Sequence, residues 1–183
     1  MRWLRARLVQ DERGYSLIEL VISMSILGAI MTSVSVLLVS ATNSEVDMNR
    51  RFQAQTEARM GLDRLRREVH CAQSVATSVG GAVATLTIPA TCPTAGGLTS
   101  ITWCAVANGS RWDLWRYQGN ACSGTGRKWA SSIGHAAVFA YTTSNTSSLA
   151  YLSVDLPVNV KGSKTISSYV LKDNIVLRNS TRT

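Results

Sequence analysis

From Tyr15 to Ala41 the chain runs for 27 residues with no basic side chain and a single acid, Glu19. About 20 apolar residues suffice to cross the hydrocarbon of a bilayer. No proline interrupts residues 15–75, so the run reads as a helix that crosses a membrane or packs among other helices. Glu19 does not suit lipid. A carboxylate inside a spanning helix costs roughly 2.5 to 3.5 kcal/mol on insertion scales, which marks it as a group with a specific partner and a function. The nearest candidate partner is an amine, created by cutting the chain just before Tyr15.

The neighbouring residues fit such a cut. Arg13-Gly14-Tyr15-Ser16-Leu17-Ile18-Glu19-Leu20 joins a basic leader to the apolar run through one glycine. Glycine has no side chain to obstruct a protease and adopts conformations that other residues avoid. This octapeptide resembles the processing site of the type IV pilin and type II secretion pseudopilin superfamily. The resemblance implies that a prepilin peptidase cuts after Gly14, that Tyr15 becomes the methylated N-terminus, and that Glu19 is the fifth residue of the mature chain. The family most often has phenylalanine where this chain has Tyr15 and threonine where it has Ser16.

Two other readings of the run compete. Val39-Ser40-Ala41 offers small residues to a signal peptidase, behind a leader with Arg2, Arg5 and Arg7. The apolar core of a secretory signal is about 7 to 15 residues, however, far shorter than this run. A plain single-pass anchor satisfies the length but leaves Glu19 without a role.

Arg2, Arg5, Arg7 and Arg13 precede the span, and no basic residue follows it before Arg50 and Arg51. This asymmetry predicts a cytoplasmic N-terminus at the inner membrane and a periplasmic or extracellular head. Cys71, Cys92, Cys104 and Cys122 all lie on the head side, are even in number and form no close-spaced pair. That usage predicts two disulfides in place of a zinc site. The expected organisation is a leader over 1–14, an assembly helix over 15–41 and a head over 42–183.

Beyond Ser44 the pattern becomes polar with a helical period, and Ala58, Leu62, Leu65, Val69 and Ala72 form one apolar stripe. The helix is expected to continue to about residue 75, with Arg59–Asp63, Asp63–Arg67 and Arg64–Glu68 pairs on its solvated faces. Gly28 and Gly61 are places where it can bend. After it come short β-rich segments, Ala82–Ile88, Leu98–Val106, Trp112–Gln118 and Ala136–Thr143, with Asn108-Gly109-Ser110 as a hairpin signal. Leu152, Val154, Leu156, Val158 and Val160 alternate with polar residues, so this strand covers a core on one face. Pro157 points to an edge position or a bulge. Lys161-Gly162-Ser163-Lys164 turns the chain into a last segment, Thr165–Leu177. The fold class is therefore α+β: a long N-terminal helix whose second half lies on an antiparallel sheet, as the pilin resemblance also implies.

An antiparallel meander of the first three strands brings Cys92 and Cys122 to one end and Cys104 to the other, beside the end of the helix. This predicts the pairs Cys92–Cys122 and Cys71–Cys104, each closing a loop of roughly 30 residues.

No catalytic, metal or cofactor motif emerges. His70 and His135 are the only histidines, and His70 reads as a helix-end residue. Gly124-Thr125-Gly126-Arg127-Lys128 lacks the spacing of a phosphate loop and reads as a flexible turn. Trp103, Trp112, Trp115 and Trp129 with Tyr117 form either a core or an exposed patch, and alternation in strands favours the core. The sequons at Asn108, Asn145 and Asn179 are short enough to arise by chance. The net charge is +8, and 15 of 19 basic and 9 of 11 acidic residues lie beyond the leader. Such a surplus usually describes a solvated face; DNA remains a less favoured partner, through a cluster such as Arg127 and Lys128.

The resemblance thus implies a structural subunit of a pilus-like or secretion filament. Its partners would be other pilin or pseudopilin subunits, prepilin peptidase, an inner-membrane assembly platform and, before assembly, membrane lipid. A helix without proline, where abundant pilins usually carry one, and the ending Val176-Leu177-Arg178-Asn179, which resembles J-type minor pseudopilins, suggest a minor subunit. The alternative is a membrane-anchored adhesin or DNA-binding surface protein that does not polymerise.

Overall fold

In a computed structural model, residues 14–145, 148–160 and 169–180 are described. The leader arginines and the expected turn Lys161–Lys164 lie outside these residues. The chain divides into two compact units, one up to Asp47 and one from Met48. Helix α1, Leu17–Cys71, belongs to both.

In the first unit α1 is exposed on every side from Leu17 to Glu45. Its hydroxyls turn inward on their own helix. Ser23, Ser25, Thr32, Ser33 and Ser35 each donate to a carbonyl three or four residues earlier, at 2.8 to 2.9 Å. Side-chain polarity is thereby satisfied within the helix, as a hydrocarbon environment requires.

In the second unit the apolar stripe does what its period dictates. Ala58, Leu62, Leu65, Val69 and Ala72 are all buried and join one core with the sheet. Gly61 is buried as well, and a Cβ there would meet Trp129 at 3.4 Å and Leu114 at 3.5 Å. It marks close helix–sheet approach, not a bend. The helix ends at Cys71 rather than near residue 75 because a strand starts almost at once. Asn179 donates to the Cys71 carbonyl at 2.9 Å, covering one of the terminal acceptors.

The strands are β1 Ser74–Thr77, β2 Val83–Thr87, β3 Ser100–Asn108, β4 Arg111–Gln118, β5 Gly126–Ile133, β6 Phe139–Thr142, β7 Tyr151–Val158 and β8 Tyr169–Val176. They form one antiparallel sheet in the order β1-β2-β3-β4-β5-β7-β6, with β8 on the other side of β7. The expected meander is β2-β3-β4, and its second turn is the predicted hairpin, with Asn108 opposite Arg111 and Gly109 at φ 62°. Two strands are additional to those expected. β1 is four residues long and follows the helix directly. β5 begins at Gly126, so Gly126-Arg127-Lys128 is strand and not flexible turn.

β7 is internal, so of the two positions expected for Pro157, an edge or a bulge, the edge is not the one found. It pairs along its length with β8, and its other side passes from β6 to β5. Pro157 lies at that change of neighbour, between Asp155 N donating to Val138 O and Asn159 N donating to Ser132 O. A residue with no N–H is tolerated where the ladder changes partners.

The disulfides are Cys71–Cys92 and Cys104–Cys122, not the pairs expected. The meander is present; β1 is what reverses the outcome. Because β1 runs antiparallel to β2, with Ser74 opposite Thr87, the end of the helix lies where β2 finishes and Cys92 follows. Side-chain alternation excludes Cys104 from that place. Trp103 reaches α1, so Thr102 and Cys104 face the other way. There the β4–β5 loop folds over them, with Thr102 Oγ1 donating to Gly119 O at 2.7 Å and Cys122 closing the bridge.

Candidate functional site

The residues singled out by the sequence, Gly14, Tyr15 and Glu19, sit at the start of α1. Ser16 precedes the first helical residue, and its carbonyl accepts the N–H groups of Glu19 at 3.0 Å and Leu20 at 3.2 Å. Glu19 falls in the first turn, where a carboxylate complements the unpaired N–H groups and the positive end of the helix dipole. Ser16-Leu17-Ile18-Glu19 has the spacing of a capping box. Its location therefore serves the helix terminus as well as any partner. Among the described residues no side chain is within ion-pair range of Glu19. Tyr15 is 83% exposed, and among the described residues no atom lies within 4 Å of a Cβ placed at Gly14.

Downstream, residues 20–41 offer only apolar and small side chains. The most apolar stretch of α1 is nowhere buried within the chain. A helix apolar all round is one that is covered in its working state. By length and composition it fits a single-pass membrane anchor.

The head holds the second concentration of polar chemistry, and here the sequence misled. Glu68, expected on a solvated face, is completely buried. Its Oε1 accepts Arg64 Nε at 2.9 Å and Arg116 Nε at 2.8 Å, and its Oε2 accepts Trp103 Nε1 at 2.9 Å. Arg64 also donates to the Thr94 carbonyl and lies 6.0 Å from the Trp129 ring centre. The carboxylate thus joins α1 to β3 and β4. The other expected helix pairs are rearranged: Asp63 pairs with Arg66 at 3.0 Å, and Arg59 donates to the Tyr169 hydroxyl. Arg66 spans to Asp173 at 2.8 Å and His70 Nδ1 lies 2.9 Å from Val176 O, so this row of the helix binds β8. These contacts are structural. The signal that could have exposed Glu68 is its position: it directly precedes Val69 and stands three after Leu65, within the apolar stripe.

The aromatics divide by strand face. Trp103 is fully buried, and Trp112 and Trp129 pack against the core. Trp115 and Tyr117 stack at 5.9 Å on the face shared with Cys104. Arg127 lies 4.9 Å from the Trp129 ring centre, and Lys128 lies 3.6 Å from Asp113, so the basic pair considered for DNA is engaged within the head.

Residues 10–35 match the family model described as the prokaryotic N-terminal methylation motif. No curated protein and no solved structure matches the chain.

Proposed function

We propose that this chain, which carries the methylation motif of the type IV pilin and pseudopilin superfamily, is a minor structural subunit of a pilus-like or type II secretion filament. The observation that carries this reading is the motif's position, at the head of a helix that is apolar on every side. In the precursor the helix crosses the inner membrane with its N-terminus in the cytoplasm. Prepilin peptidase cuts after Gly14, and the new amine of Tyr15 is methylated.

Assembly then follows from the energetics of one acid. Glu19 in hydrocarbon is relieved by the ammonium of Tyr15 from a neighbouring subunit, and a register that leaves either charge unpaired is disfavoured by several kcal/mol. Ser23, Ser25, Gly28, Ala29 and Ser33 are small enough to let helices approach closely, and the three serine hydroxyls are already bonded to their own backbone. The proline-free helix and the resemblance of Val176-Leu177-Arg178-Asn179 to J-type minor pseudopilins favour a minor subunit over the main building block. Glu19→Ala is the test: the variant accumulates in the membrane at normal levels but is missing from sheared filaments. Incorporation equal to that of the natural chain would overturn the docking role of Glu19.

A further inference from the structure

The second unit contains a polar pocket of about 300 Å³ between α1 and the sheet, where β4 begins and β5 ends. Arg50 and Glu57 reach it from the helix, and Arg111, Ser131 and Ser132 from the strands. Ser131 and Ser132 are consecutive strand residues, which ordinarily point to opposite faces. Both line this pocket because Ser132 has φ 60°, the only positive φ of a described residue other than glycine. Left-handed backbone at such a residue costs of order 1 kcal/mol or more and persists only where its surroundings hold it. It adjoins the pairing shift between Trp112 and Leu114, which re-aims the end of β5.

The pocket has more donors than acceptors. Arg111 Nη1 donates to Ser132 Oγ at 3.3 Å, while Arg111 Nε is buried and meets no acceptor among the described residues. The carboxylate in the same wall, Glu57, accepts the Ser131 hydroxyl on Oε2 at 2.7 Å, and its Oε1 meets no donor among the described residues. Two guanidinium groups against one carboxylate leave a single positive charge, and an unmatched guanidinium in a part-buried site favours an anion that can accept from its planar donors. Glu57 restricts which anion. It repels a phosphate dianion but accepts a hydrogen bond from a hydroxyl.

We infer that this pocket binds a small hydroxylated carboxylate of the sugar-acid type, the carboxylate against Arg111 and Arg50 and a hydroxyl toward Glu57. The volume suits one monosaccharide unit, at the lower end of ligand sites. The inference is independent of filament assembly and of processing at Gly14.

Titration calorimetry of the full-length protein in detergent micelles tests it, with glucuronate, glucose and sulfate as probes. Saturable binding of glucuronate, with none of glucose and weaker binding of sulfate, is the expected result. Arg111→Lys keeps the charge but loses the planar fork and weakens glucuronate about tenfold. Should that variant fail to fold, Arg50→Gln at the helix side provides the second measurement and weakens binding in the same direction. No glucuronate binding, sulfate binding as tight as glucuronate, or unchanged affinity in a folded Arg111→Lys protein would each overturn the assignment.

Discussion

At the scale of single residues the head depends on two side chains whose roles are set by what surrounds them. Glu68 is a fully buried carboxylate with two arginines and an indole donating to it. Removing one member of a buried charge network leaves the others unpaired, so Glu68→Ala is expected to cost about 3 to 5 kcal/mol. Chemical denaturation followed by tryptophan fluorescence checks this; a loss below about 1 kcal/mol would place the group in solvent. Gly126 is the second case. It pairs directly with Tyr117, whose ring lies across it, and a Cβ there would clash with that ring. Gly126→Ala is expected to destabilise by about 1 to 3 kcal/mol through overpacking. Most of that loss should disappear when Tyr117→Ala is already present, and a double-mutant cycle with no coupling would contradict the contact.

At the scale of elements, much was legible and the misses share a cause. The stripe from Ala58 to Ala72 announced the buried helix face because five apolar residues recur at helical spacing. The hairpin at Asn108-Gly109-Ser110 and the alternation from Leu152 to Val158 were equally plain. β1 was missed because Ser74-Val75-Ala76-Thr77 follows the helix without glycine or proline to mark a boundary. β5 was missed because its first residues are glycine and bases, which read as a turn, and because the Tyr117 ring that covers Gly126 is a tertiary fact. The disulfide error descends from β1, since one unrecognised reversal moves the helix terminus from one end of the meander's strands to the other. Glu68 was invisible as a buried group because an i, i+4 partner, Arg64, supplied a sufficient local explanation. Non-reducing peptide mapping should yield Cys71–Cys92 and Cys104–Cys122. Replacing Cys71 and Cys92 together by serine should cost about 3 kcal/mol in the chain-entropy model, since the bridge closes a loop with a sequence separation of 21. A Cys92–Cys122 peptide would show that β1 does not form.

At the scale of the whole molecule the two units divide the work. The unit from Met48 onward carries its own core, two disulfides and a buried ion network, and so supplies a folded head without help from the first. The unit up to Asp47 buries almost nothing of its own, so its apolar helix has to be covered by lipid or by copies of similar helices. That division matches the proposed life of the chain, first in a membrane and then in a filament. It also explains why the acid was conspicuous in sequence: a single charge in 27 otherwise uncharged residues has no local compensation, whereas the acids of the head are read only against their neighbours. The account requires a free amine at Tyr15. Mass spectrometry of the mature N-terminus therefore tests it most directly: a first residue of Tyr15 bearing one methyl group is predicted, and a chain beginning at Met1, or cut near Ala41, would contradict it.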